Sequence, residues 1–166
     1  MSKNLRVKAS KFIDETSRVC FKFNGKIYYG FKGDTLASAL IANDVHLVGR
    51  SFKYHRPRGI MTAGSEEPNA IVQVYGNSAY TEPNVRATEI EIHEGLETSS
   101  QNCWPSVNFD IGGINNILSP VLPAGFYYKT FMWPANFWEK YEYVIRHSAG
   151  LGKSPKVADP DIYDHK

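Results

Sequence analysis

"RVCFKFNGKIYYGFKGDTLASALIANDV", residues 18–45, carries the signals that decide the fold. Val19, Phe21 and Phe23 alternate with Arg18, Cys20 and Lys22, and Ile27, Tyr29 and Phe31 alternate with Lys26, Tyr28 and Gly30. Alternation with a period of two marks a strand that buries one face. Between the two runs stands Asn24-Gly25, the dipeptide that best accepts the positive φ angles of a type I′ turn. The stretch predicts a hairpin whose apolar faces are Val19, Phe21 and Phe23 on one strand and Ile27, Tyr29 and Phe31 on the other. After it, Asp34 stands where a helix N-cap belongs, and Leu36, Ala37, Leu40 and Ile41 share one face of a helix ending near Asn43.

Working outward, residues 1–17 are polar and aperiodic and read as an arm whose order depends on what it touches. Val45 to Val48 reads as a strand, and "NAIVQVYG" (69–76) as another, ending at a turn around Gly76-Asn77. Ile90 and Ile92 alternate with Glu89, Glu91 and His93, which predicts a last strand with one wet face. Hairpin, helix, strand, long loop, strand, strand is the order of an α+β, β-grasp domain, placed at residues 18–94. Residues 95–166 form an extension crowded with aromatics among prolines and glycines, and periodicity predicts one helix there, from about Ala135 to Ala149. One helix cannot bury them all. Trp104, Phe126, Tyr127, Phe131, Trp133 and Trp138 are therefore expected to form a docking surface for a protein partner.

Composition narrows the classes of function. A chain of 166 residues with a net charge of +2 buries one core and carries no overall field that would draw nucleic acid or an anionic membrane. With two cysteines, Cys20 and Cys103, and no signal-peptide pattern in "MSKNLRVKASKFIDE", a reducing, cytoplasmic setting is expected. No transmembrane run is present in the sequence.

The long loop, "HRPRGIMTAGSEEPN" (55–69), repays measurement. A plant-type iron–sulfur site needs thiolates at C-x4-C-x2-C and a fourth further on, so that a tight loop aims its sulfurs and amides at the cluster. With Gly64 as the inner glycine, those places fall on Met61, Glu66 and Asn69, and the fourth on Thr88 in "NVRAT". The coincidence suggests a former cluster loop now serving as a rigid connector; the plainer alternative is an Ω-like loop that never held metal. Met, Glu, Asn and Thr cannot supply soft anionic sulfurs, and His55 with Glu66 makes no zinc shell, so no metal is expected.

Just before it, "RSFKYHRPR" gathers Arg50, Lys53, Arg56 and Arg58 among aromatics, a pattern that suits nucleic acid, although the near-balanced charge argues against that partner. Two further uses stay open: Arg56 and Arg58 pairing with Glu66 and Glu67, or either arginine meeting a cofactor phosphate. "AGLGKS" (149–154) imitates the end of a P-loop but has His147 at its first glycine position and follows a helix, so it reads as a helix end and turn. No group has the partners of a catalytic residue. Glu66-Glu67 and Glu89, Glu91 and Glu94 read as solvent faces, and Cys103 as a packing residue.

A β-grasp domain with "HRPRG" before the loop and "NVRAT" after it resembles the ferredoxin-type domains attached to flavin-dependent amine and amino-acid dehydrogenases. The longer run "GDTLASALIANDVHLVGRSFKYHRPRGIMTAGSEEPNAIVQV", with "SSQNCWPS" and "PAGFYYKTFMWP", resembles the N-terminal region of the alpha subunits of heterotetrameric sarcosine oxidases. That resemblance implies a ferredoxin-like domain that has lost its cluster ligands, inside a complex that demethylates sarcosine to glycine and passes the one-carbon unit to tetrahydrofolate or releases it as formaldehyde. It also implies that FAD, FMN, NAD and tetrahydrofolate are held by the remaining alpha-subunit domains and by other subunits, and that this module is not catalytic. From a different class, a free-standing binding protein would use the Arg50 to Arg58 run for an anionic ligand or nucleic acid.

Overall fold

The computed structural model describes residues 5–7, 11–76, 80–121, 133–148, 152–155 and 157–158. Its strands are β1 (Asp14–Phe23), β2 (Lys26–Lys32), β3 (Gly49–Arg50), β4 (Pro57–Arg58), β5 (Ile71–Tyr75), β6 (Glu82–Arg86) and β7 (Leu96–Ser100). Its helices are α1 (Leu36–Ala42), α2 (Ile114–Ile117) and α3 (Trp138–Ser148). Five strands make one mixed sheet in the order β2-β1-β7-β5-β6, with β1 parallel to β7 and the other neighbours antiparallel. A hairpin, a covering helix and a late strand lying parallel to the first at the sheet's centre are the β-grasp arrangement.

The hairpin turn forms as its dipeptide dictates, with φ of 51° at Asn24 and 74° at Gly25. Its register corrects the expected face of β2. A two-residue turn pairs Phe23 with Lys26, Phe21 with Tyr28 and Val19 with Gly30, so odd residues of β1 share a face with even residues of β2. Tyr28 accordingly stacks on buried Phe21 at 6.0 Å between ring centroids, while Ile27 and Tyr29 are exposed. Gly30 lies on the core face because a Cβ there would strike Ile92 and come within 3.1 Å of the Ala39 Cβ.

Helix α1 packs Leu36, Ala37, Ala39 and Leu40 onto Phe21, Phe23, Val72 and Leu96, with Ile41 turned outward. Its cap is Thr35, whose hydroxyl accepts from the Ser38 amide at 3.2 Å. Asp34, the expected cap, is fully buried and accepts from the Phe31 amide (2.9 Å), the Ser38 hydroxyl (2.8 Å) and both guanidinium nitrogens of Arg6. A buried carboxylate needs such partners. The Arg6 pair therefore anchors residues 5–7 to the domain, aided by a Leu5 amide bond to the Ala42 carbonyl at 3.1 Å.

Two expected strands are displaced. Residues 45–48 hold buried Val48 but form no strand; the short ladder is one step later, β3 with β4. Residues 90–92 lie against the start of α1, where the Leu36 amide binds the Ile90 carbonyl (2.7 Å) and the Ile92 amide binds the Asp34 carbonyl (3.0 Å). The strand that completes the sheet is β7, beyond Glu94. Its alternation of Leu96 and Thr98 inward with Glu97 and Ser99 outward is masked in sequence by a buried threonine.

The candidate cluster loop and its surroundings

The loop between β4 and β5 is organised around one side chain that spacing did not single out. Glu67 is 1% exposed. Its Oε2 accepts from the backbone amides of Met61 and Thr62, both at 2.7 Å, and from the Thr62 hydroxyl at 3.3 Å. Its Oε1 accepts from the amides of Asn69 (2.8 Å) and Ala70 (3.2 Å). Burial by itself would raise the pKa of this carboxyl, but the N–H groups of Thr62, Asn69, Met61 and Ala70 together outweigh it and hold the pKa below the ordinary value. Pro68 favours extended backbone at Glu67, from which the side chain folds back over the two amides that follow.

Around this centre the loop is tied on three sides. Thr88 is buried, and its hydroxyl donates to the Gly64 carbonyl at 2.7 Å. Arg86 donates through Nε to the Glu67 carbonyl at 3.2 Å and pairs with Glu89 at 3.4 Å. The Glu67 amide donates to the Gly64 carbonyl at 3.2 Å. Of the positions measured by spacing, Thr88 thus points into the loop, Asn69 supplies an amide to Glu67, and Met61 and Glu66 are exposed side chains. The reading of Glu66-Glu67 as a solvent face is correct for Glu66 alone. A local signal was present: of the two glutamates, Glu67 is the one directly before a proline.

This arrangement does not fit an iron–sulfur cluster. The four spaced positions offer no thiolate, the loop amides of Met61, Thr62, Asn69 and Ala70 are already bonded to Glu67, and the free cysteines, Cys20 on β1 and Cys103 after β7, lie outside the loop. Among the described residues no group of His, Cys, Asp or Glu is arranged to hold a metal ion. Burial and the neighbouring Asp110 push the Cys103 thiol up, against the pull of Arg50.

The basic run is spent largely on holding the chain together. Arg50 donates to the carbonyls of Val107 (2.8 Å) and His55 (3.1 Å), and Arg56 donates to Asn116 Oδ1 at 2.8 Å while its guanidinium lies 4.7 Å from the Tyr54 ring. Lys53 also sits over Tyr54, at 5.0 Å, and Arg58 is exposed on β4. The pairing of Arg56 or Arg58 with Glu67 is therefore replaced by Glu67's backbone contacts. His55, held at φ 52°, places Nδ1 2.7 Å from Asp110 Oδ2. The other oxygen of Asp110 accepts from the amides of Trp104 (3.0 Å) and Gly112 (3.1 Å).

What these contacts anchor is an apolar ledge. Trp104 and Phe109 are each 69% exposed, and Ile111, Ile114 and Ile117 are exposed beside them. Trp133, 83% exposed, and Trp138 are also open to water, the latter on α3. Phe126, Tyr127 and Phe131, named with them from the sequence, lie outside the described residues. No helix among the described residues is long and apolar enough to cross a membrane.

The chain is 62% identical over 153 residues to the sarcosine oxidase subunit alpha of Rhizobium meliloti (strain 1021), covering 92% of this chain and 15% of that protein. It is 34% identical over 105 residues to the subunit of the same name from Corynebacterium sp. (strain U-96), covering 60% of this chain and 11% of that protein. The chain thus spans less than a sixth of the length of these curated relatives. A solved L-proline dehydrogenase from P. horikoshii aligns at a TM-score of 0.39 and 26% identity, over 51% of this chain and 16% of its own. The family model for the 2Fe-2S iron-sulfur cluster binding domain matches residues 16–103, which take in all of the sheet but the first two residues of β1, the loop and Thr88. With more than half of its residues matched by that model, the chain belongs to the family of 2Fe-2S iron–sulfur cluster binding domains.

Proposed function

We propose that this chain is a non-catalytic structural module of a sarcosine oxidase alpha subunit, in which a cluster loop without cluster ligands serves as a closed connector. The observation that carries the reading is Glu67, whose carboxylate satisfies the loop amides from inside. A single internal anion does here what bound cluster sulfurs would do, so the four spaced positions need no thiolate: the Thr88 hydroxyl ties the loop to the Gly64 carbonyl, Met61 and Asn69 give their amides to Glu67, and Glu66 faces water. The long match to the Rhizobium meliloti subunit supports the assignment to that protein type. In this reading the remaining alpha-subunit domains and the other subunits of a heterotetramer are the partners, reached through the surface that bears Trp104, Trp133 and Trp138. The setting is cytoplasmic. FAD, FMN, NAD and tetrahydrofolate belong to those other parts, where sarcosine is demethylated to glycine.

The test is anaerobic reconstitution of the purified chain with iron and sulfide. The expected product is colourless protein without stoichiometric iron. A visible charge-transfer spectrum with stoichiometric iron would overturn the proposal.

A further inference from the structure

Gly152 and Lys153, within "AGLGKS", have a use that P-loop spacing does not supply. Gln73 is 3% exposed and points away from the face on which Val72 and Val74 meet α1. Its side-chain amide meets one residue twice: Nε2 donates to the Lys153 carbonyl at 3.1 Å, and Oε1 accepts from the Lys153 amide at 2.8 Å. Both main-chain groups of Lys153 are thereby satisfied as a neighbouring strand would satisfy them.

The next residue back fits the same place closely. Gly152 has φ 73°, a conformation that glycine adopts freely, and a Cβ there would strike Gln101 Nε2 and come within 2.7 Å of Gln73 Oε1 and Pro83 Cβ. Gln101 is not free to give way. It is buried and held by Asn84, whose amide donates to Gln101 Oε1 at 3.2 Å and whose side-chain oxygen accepts from Nε2 at 3.3 Å.

We propose that the place walled by Gln73, Pro83 and Gln101 is a binding site for a backbone segment that turns through a positive-φ glycine, and that Gly152-Lys153 is its built-in occupant. The chain is clasped to its own sheet at a point 80 residues beyond Gln73. The site uses neither the cluster loop nor its ligand positions, so it stands or falls apart from the reading of that loop.

Lys153-Ser154 is a tryptic bond, and a protease can take it only when the Lys153 backbone has left Gln73. Limited trypsin digestion of the full chain therefore reads the clasp. Where opening is fast relative to cleavage, the cutting rate follows the open population. Gly152→Ala and Gln73→Met are each expected to speed cleavage at Lys153-Ser154 about tenfold, with cleavage at Lys26-Ile27 within the hairpin unchanged. If Gln73→Met disturbs the sheet, the Lys26-Ile27 bond is cut faster too, and Gly152→Ala, which removes nothing from the sheet, decides. Equal rates at Lys153-Ser154 for Gly152→Ala and the unaltered chain would overturn the clasp.

Discussion

The cluster loop and the ledge at residues 104–118 are both fastened by a buried carboxylate, and they use it to opposite ends. Glu67 draws amides inward and leaves the loop with its polar groups satisfied. Asp110 fastens the amides of Trp104 and Gly112 and the ring of His55, yet the side chains it positions face water. A carboxylate that accepts several N–H groups fixes a backbone wherever it sits; whether the result is closed or sticky depends on which side chains the backbone then presents. The loop presents Met61 and Glu66 singly, whereas the ledge presents Trp104, Phe109, Ile111, Ile114 and Ile117 together. Large apolar side chains left in water along one segment favour association.

The comparison breaks most readily at Glu67. Glu67→Ala leaves its backbone donors without their acceptor, and a loss of roughly 3 kcal/mol in urea unfolding is expected. Asp110→Ala should cost about 2 kcal/mol, and amide exchange should then quicken at Trp104 and Gly112 while the Met61 and Thr62 amides keep their protection. Trp104→Ala and Trp133→Ala sharpen the contrast from the other side. With little burial to lose, each should stay within about 0.5 kcal/mol of the parent in stability, yet reduce self-association in sedimentation and weaken capture of the rest of the subunit. Smallest of all is Arg58→Ala, which should leave stability and association alike unchanged and remove only weak duplex-DNA binding seen at low salt by anisotropy. Sequence-selective DNA binding that survives physiological salt would promote the binding-protein alternative instead.

The sheet was legible where local chemistry and tertiary need agree. Asn24-Gly25, the run at residues 71–75 and the helix after Asp34 follow from turn chemistry and apolar spacing. The inward face of β2 differs from the expected one because alternation along one strand does not say which phase its partner's register selects; counting across the turn does. β7 was missed because Thr98 is buried as a polar residue, its hydroxyl donating to the Lys22 carbonyl at 3.0 Å. At the loop, cluster spacing points to Met61, Glu66, Asn69 and Thr88, of which Thr88 bonds the Gly64 carbonyl, but no spacing rule reveals an internal anion such as Glu67. The role of Asp34 was hidden similarly, since Arg6 lies 28 residues away.

An ionised Glu67 holds the loop, and comparing the stability of the chain with that of Glu67→Gln across pH measures this. Glu67 has a folded pKa below its ordinary value of 4.5, so its stabilisation is complete above that pH and is lost as pH falls through the lowered folded value. Glutamine keeps the shape but has one acceptor fewer and turns a donor toward amides. The account predicts that the parent exceeds Glu67→Gln by about 2 kcal/mol at neutral pH and that the gap closes as the pH is taken well below 4.5. A gap that is absent at neutral pH, or that persists undiminished in acid, would contradict it.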